Sequence, residues 1–121
     1  MGHEDCIIVH RIYDKPIPEG FKILVDGLWP RGISKSEIDY WAREIAPSAE
    51  LRRWYSHDPS RWEEFRKRYH EELKLNNNLV EFLNLLKSKC ENHQKIIFLY
   101  SSIERVYNNA NALKDFINES I

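Results

Sequence analysis

The residues best equipped for chemistry in this sequence stand just after its apolar runs. Arg11 and Tyr13 follow Cys6-Ile7-Ile8-Val9-His10, and Asp26 follows Phe21-Lys22-Ile23-Leu24-Val25. Trp29 and Arg31 belong to the loop Trp29-Pro30-Arg31-Gly32, Ser48 follows Ala46-Pro47, and His57-Asp58 stands directly before Pro59. A guanidinium matches phosphate and carboxylate geometry. A histidine gives or takes a proton near neutrality, and a carboxylate can serve as a base. This set suits a small enzyme or ligand-binding protein acting on an anionic or phosphorylated metabolite. Asp26, His57 and Asp58 would be its catalytic groups, and Arg11, Tyr13, Trp29, Arg31 and Ser48 its ligand-binding groups.

Each assignment has a structural alternative. Arg31 could tie down its own loop or pair with Asp26, and Asp26 could accept hydrogen bonds from the turn that follows it. Asp58-Pro59 fits a helix start, with Asp as the cap and Pro in the first turn, which leaves His57 as a loop residue. Ser101-Ser102 lacks a Gly-x-Ser-x-Gly frame, so capping of the last helix is its better assignment. Neither Cys6 nor Cys90 has a histidine at a motif spacing, and His3, His10, His57, His70 and His93 show no close metal-ligand spacing. No dinucleotide fingerprint or P-loop is present. The sequence therefore calls for no metal and no cofactor.

Positioning these groups falls to strands early in the chain and helices later. The runs from Cys6, Phe21 and Ile96 are continuous and apolar, as in strands buried on both faces. The stretch from Asp39 to Ala46 fits either a helical turn or a strand, and strand is preferred. Ser34 could cap a short helix leading into Asp39. Trp62, Phe65, Tyr69 and Leu73 recur at helical spacing after Asp58-Pro59, and Leu79, Phe82, Leu83, Leu86 and Cys90 form a second stripe after an Asn78/Glu81 capping box. Glu63 with Lys67 and Glu64 with Arg68 are candidate i,i+4 pairs. Val106, Ala110, Leu113 and Ile117 mark the inward face of a last helix. The pattern predicts an α/β domain over residues 1–121, a layered structure whose mostly parallel sheet of about four strands is flanked by helices. In such sheets ligands bind beyond the C-terminal strand ends. Arg11 and Arg31 would meet there, beside helix starts at Ser48 and Ser102 that also favour anions.

The 121 residues are 42% hydrophobic and 31% charged, ordinary for one folded domain. Lys and Arg number 18 against 19 Asp and Glu, a balance that disfavours a dedicated nonspecific nucleic-acid binder. A nucleic-acid-binding module on the Arg- and aromatic-rich segment 52–69 nevertheless stands as an alternative. A protein-interaction module with a tryptophan-rich docking surface, self-association included, is a further one. Both cysteines read as buried thiols of a reducing compartment. No apolar run nears the roughly 18 residues of a membrane span, and the expectation is a cytoplasmic protein.

Arg11-Ile12-Tyr13-Asp14, Gly20 through Asp26, Leu28 through Lys35, Ala46-Pro47-Ser48, Glu50-Leu51-Arg52 and His57-Asp58-Pro59 together resemble the YeaO-like family, along with Trp41, Trp54 and Trp62 through Tyr69. The likeness runs from Arg11 to about Phe116. It implies a compact α/β protein and no particular reaction. The sequence departs from the family pattern in two places. Gly27 stands where Asp-Arg-Leu-Trp-Pro-Arg-Gly has its first arginine, and Ile103 to Asn109 replaces an Asp-Glu-x-x-His stretch.

Overall fold

A computed structural model describes residues 6–120. Its framework is a four-stranded, all-parallel sheet of strands β1 (Ile7–Arg11), β2 (Phe21–Leu24), β3 (Tyr40–Trp41) and β4 (Ile96–Tyr100), in the order β1-β4-β2-β3. Helix α1 spans Ala49–Tyr55, α2 Trp62–Lys74, α3 Leu79–Glu91 and α4 Asn109–Ser120. The chain is an α/β protein, as the patterning predicts.

β4 lies between β1 and β2, and all five of its side chains are buried. They alternate between two apolar clusters, as a pleated strand requires. Ile96, Phe98 and Tyr100 join the larger cluster, to which all four helices contribute. Ile97 and Leu99 face the other way, where Ile12, Ile17, Ile33 and Ile38 cover them. That second cover comes from loops and a 3-10 turn at Lys35–Glu37. The link from β1 to β2 is too short for a crossover helix, so loop isoleucines close this face. A backbone approach fixes the entry to β2: a Cβ on Gly20 would lie 2.7 Å from the Lys95 carbonyl oxygen.

The ambiguous 39–46 stretch divides into the two-residue strand β3 and a 3-10 turn at Arg43–Ile45. Tyr40 and Trp41 pair with Ile23 and Leu24, after which Ile45 turns inward and is fully buried. Asp58 caps a 3-10 turn at Pro59–Arg61 that runs straight into α2. Asn78 begins α3 without a side-chain cap, and its backbone N–H, which Glu81 would accept in a capping box, donates instead to Asn76 Oδ1 at 2.7 Å. Of the two expected charge pairs on α2, Arg68 reaches Glu64 at 2.7 Å, and Glu63 with Lys67 makes no ion pair among the described residues. Val106 is exposed because α4 starts only at Asn109.

The cysteines differ from expectation. Cys6 and Cys90 are half-buried and joined in a disulfide, their Cα atoms 5.9 Å apart. α3 feeds directly into β4, and Ile96 N–H donates to the Cys6 carbonyl at 2.9 Å, so the end of α3 returns beside the start of β1. Residues 84 apart in sequence thereby become neighbours, a proximity that no local spacing reveals. Among the described residues no helix is long and apolar enough to cross a membrane.

Phe98, fully buried on β4 and packed against Phe82, tests this core. Phe98→Ala is expected to lower unfolding free energy by about 3–5 kcal/mol in chemical denaturation. A loss below about 1 kcal/mol would contradict the packing described.

Candidate functional site

Asp26 stands one residue beyond the Val25 N–H bond to the Leu99 carbonyl that extends the β2–β4 ladder. Its Oδ2 accepts the Ser101 N–H at 2.9 Å and the Ser101 hydroxyl at 2.7 Å. Its Oδ1 accepts Asn109 Nδ2 at 3.1 Å, and the same amide also donates to the Val25 carbonyl. One carboxylate thus binds the ends of two strands to the first residue of α4. Burial pushes the Asp26 pKa above its ordinary 3.8, against the lowering effect of the Ser101 and Asn109 hydrogen bonds.

Beside this knot lies a cavity of about 460 Å³. Asp26, Gly27 and Leu28 line it from the end of β2, Pro47 from the turn before α1, Arg52, Arg53 and Tyr55 from α1, and Phe65 from α2. His57, Ser101, Ser102, Asn108 and Asn109 complete the wall. Tyr55 is fixed by donating its hydroxyl to the Tyr107 carbonyl at 2.7 Å and by stacking on Phe65 at 4.3 Å. Burial raises its pKa to about 12, so it remains a neutral donor.

His57 reaches the cavity through an uncommon turn. Ser56 and His57 both adopt left-handed backbone, with φ of 45° and 57°. Ser56 N–H returns to the Arg52 carbonyl and Asp58 N–H to the Tyr55 carbonyl, which closes α1 and reverses the chain. The imidazole is exposed, and its Nδ1 lies 3.3 Å from the Ser102 hydroxyl. A non-glycine residue in this region costs roughly 1 kcal/mol.

The groups singled out from sequence therefore separate. Asp26 and His57 share the cavity, and Asp58 does not line it. The Asp58 carboxylate accepts the Ser60 N–H at 3.0 Å and the Ser60 hydroxyl at 2.8 Å, which hold its pKa below the ordinary 3.8. Arg11 donates from Nε to the Ser102 carbonyl at 2.9 Å, lies over the Tyr13 ring and pairs with Asp14. Tyr13 donates its hydroxyl to the Arg31 carbonyl at 2.7 Å. The loops carrying Arg11 and Arg31 do meet, but the two guanidiniums do not line the cavity. Trp29 turns away to donate to the Ile33 carbonyl and pack edge-on against Trp41 at 5.4 Å, lining a separate shallow groove.

Ser48 caps α1 by accepting the Leu51 N–H at 3.1 Å. Glu72 already occupies that helix start, taking the Ser48 N–H at 2.9 Å and its hydroxyl at 2.6 Å. Ser102 does not begin a helix. Its hydroxyl accepts the Glu104 N–H at 3.0 Å, and Asn108 Oδ1 takes the Asn111 N–H to start α4. In the intervening loop Glu104 accepts the Val106 and Tyr107 N–H groups, and Arg105 grips Asp14 through two nitrogens.

The cations that do reach the cavity are Arg52 and Arg53, which in sequence look like part of a basic, aromatic segment. Their signal was their place in the last turn of α1, ahead of the turn that carries His57. Among the described residues neither forms an ion pair, whereas Arg11, Arg61, Arg66, Arg68 and Arg105 each do. No group of three His, Cys, Asp or Glu side chains among the described residues could hold a metal ion.

A parallel sheet with a cavity at its C-terminal edge defines the class, and comparison with known proteins supplies the family. The chain belongs to the DUF488-N3i family, described as the inactive DUF488-N3 subclade, whose model matches residues 6–121. It is 36% identical over 110 residues to the uncharacterised protein YeaO of Escherichia coli K12, covering 88% of this chain and 92% of YeaO. It is 42% identical over 88 residues to an uncharacterised protein of Mycobacterium tuberculosis, covering 70% of this chain and 75% of the relative. No solved structure matches the chain.

Two measurements check the site. Asp26→Ala leaves the Ser101 and Asn109 donors without their acceptor and is expected to cost about 1–3 kcal/mol of stability in denaturant titration. In carboxyl NMR titrations Asp26 should have its midpoint above 3.8, and Asp14, held down by Arg105, below 3.8. A raised folded pKa means that the native state keeps a proton the unfolded chain has released. The stability this group contributes is complete below the unfolded value and lost as pH rises through the folded one. The reverse order of midpoints would refute the burial assigned to Asp26.

Proposed function

We propose that this chain is a ligand-binding protein whose cavity takes a small anionic molecule, such as a phosphomonoester, and does not transform it. The observation that carries this reading is the pair Arg52 and Arg53, which line the cavity and are unmatched by any carboxylate among the described residues. A guanidinium without an internal partner is suited to an external oxyanion. Ser101, Ser102, Asn109 and His57 add neutral or protonatable groups beside it. The volume is adequate for a molecule of sugar-phosphate size.

Binding is favoured over catalysis because the carboxylates are committed. Both oxygens of Asp26 are engaged by donors of the fold, and Asp58 serves its turn. His57 Nδ1 stands 3.3 Å from the Ser102 hydroxyl, but among the described residues no third side chain hydrogen-bonds the imidazole to orient it as the base of a triad. The family description as an inactive subclade agrees with this assignment. The Cys6–Cys90 disulfide lies away from the cavity. It joins the opposite end of the sheet, so binding at the cavity would not depend on it.

The nucleic-acid reading of residues 52–69 is weaker. Arg66 is neutralised by Asp115 and Glu119, and Arg68 by Glu64. Trp54 already has the Arg61 and Arg68 guanidiniums over its ring, at 5.1 and 4.5 Å from the centroid, which compete with a stacking base.

Calorimetric titration with ribose 5-phosphate, against neutral ribose as its counterpart, tests the reading. The expected result is binding of the phosphate ester only, weakened about tenfold or more by the double substitution Arg52→Ala/Arg53→Ala. No inorganic phosphate should be released on prolonged incubation. Equal binding of ribose, or an unaffected double variant, would reject the anion site; phosphate release would reject binding without turnover.

A further inference from the structure

Gly27, at the end of β2, lies against Arg52. A Cβ placed on Gly27 would come within 2.9 Å of Arg52 Nη1, with Ala46 Cβ at 3.6 Å and the Pro47 carbonyl oxygen at 4.0 Å. The guanidinium therefore rests on the bare backbone of residue 27, next to Asp26, in space that a side chain would fill. Arg52 comes from the last turn of α1, and both residues line the cavity. The backbone of Gly27 does not lie in the left-handed region that favours glycine, so what the position needs is the missing side chain.

We infer that Gly27 is a positioning residue: by leaving this space empty it seats the Arg52 guanidinium low in the cavity, where it grips the ligand's oxyanion. The inference rests on the anion-binding reading above and adds to it the residue that sets where the charge is held. A compact anion such as a phosphate needs its guanidinium partner at about 2.7–2.9 Å in a fixed direction. An arginine lifted by a methyl group at residue 27 would keep its charge and lose that placement. Long-range attraction would then persist while the directed hydrogen bonds weakened.

Gly27→Ala is a mild test, because the atom it meets is the movable end of a side chain and its backbone is not strained. Its melting temperature should stay within a few degrees of wild type. Before any ligand is added, the Arg52 Nε–Hε resonance should shift. Ribose 5-phosphate should bind about tenfold more weakly to Gly27→Ala than to wild type. In an Arg52→Ala background the same substitution should change affinity less than about twofold, since the group it acts through is gone.

The outcomes separate the two ideas. Failure of wild type to bind ribose 5-phosphate overturns the anion-binding reading and this inference with it. Binding by wild type with unchanged affinity in Gly27→Ala overturns the inference and leaves the reading intact. An equal loss in the Arg52→Ala background would show that the methyl group obstructs the cavity itself, which also overturns the positioning role.

Discussion

The carboxylate of Asp26 is the contact on which the site's geometry depends. Parallel strands end without a hairpin to join them, so their last residues diverge unless a side chain holds them together. Here one half-buried carboxylate gathers the Ser101 N–H, the Ser101 hydroxyl and the Asn109 amide. It thereby fixes the ends of β2 and β4 and the origin of α4 in one place. The cavity is the hollow left beside this junction, roofed by α1 and by the turn that carries His57. Such a commitment has a chemical consequence, because a carboxylate saturated by structural donors is poorly placed to remove a proton from a ligand.

Charge pairing and concavity together mark this cavity as the candidate, since among the described residues Arg31 and Arg43 also lack a carboxylate partner but line none of the cavities described. Basic and acidic residues are nearly equal in number, and most arginines find partners close to home. Arg66 bridges to α4, Arg105 holds the loop after β1, and Arg11 is drawn into a cluster with Asp14 and Tyr13. Arg52 and Arg53 are left facing a concave, partly apolar space, where an oxyanion is less screened than on open surface. The Asp26 carboxylate beside them is taken up by Ser101 and Asn109.

The sheet was legible because its strands carry unbroken apolar runs, which parallel strands buried on both faces require. β4 is the clearest case. Its five consecutive apolar residues leave no polar face, so only a central position satisfies them. The start of α2 was legible from Asp58-Pro59, a signal local to a few residues. The site was legible only in part. The rule that ligands gather beyond strand ends located Asp26 and the loop after β4, but could not say which arginines point inward. Arg31 and Arg52 look alike as letters. Tertiary packing alone separates them, since Trp29 anchors its loop against Trp41 while α1 ends over the cavity. The Cys6–Cys90 disulfide was hidden for the same reason, its two halves meeting only after α3 and β4 have returned beside β1. Asn109 had no signal beyond its place after an apolar strand and loop.

The most direct measurement is a crystal structure grown with ribose 5-phosphate. The account predicts the phosphate above the backbone of Gly27, within hydrogen-bond distance of the Arg52 guanidinium, with Asp26 still bound to Ser101 and Asn109. Phosphate held instead between the Arg11 and Arg31 side chains, with the cavity beside Asp26 left to solvent, would contradict it.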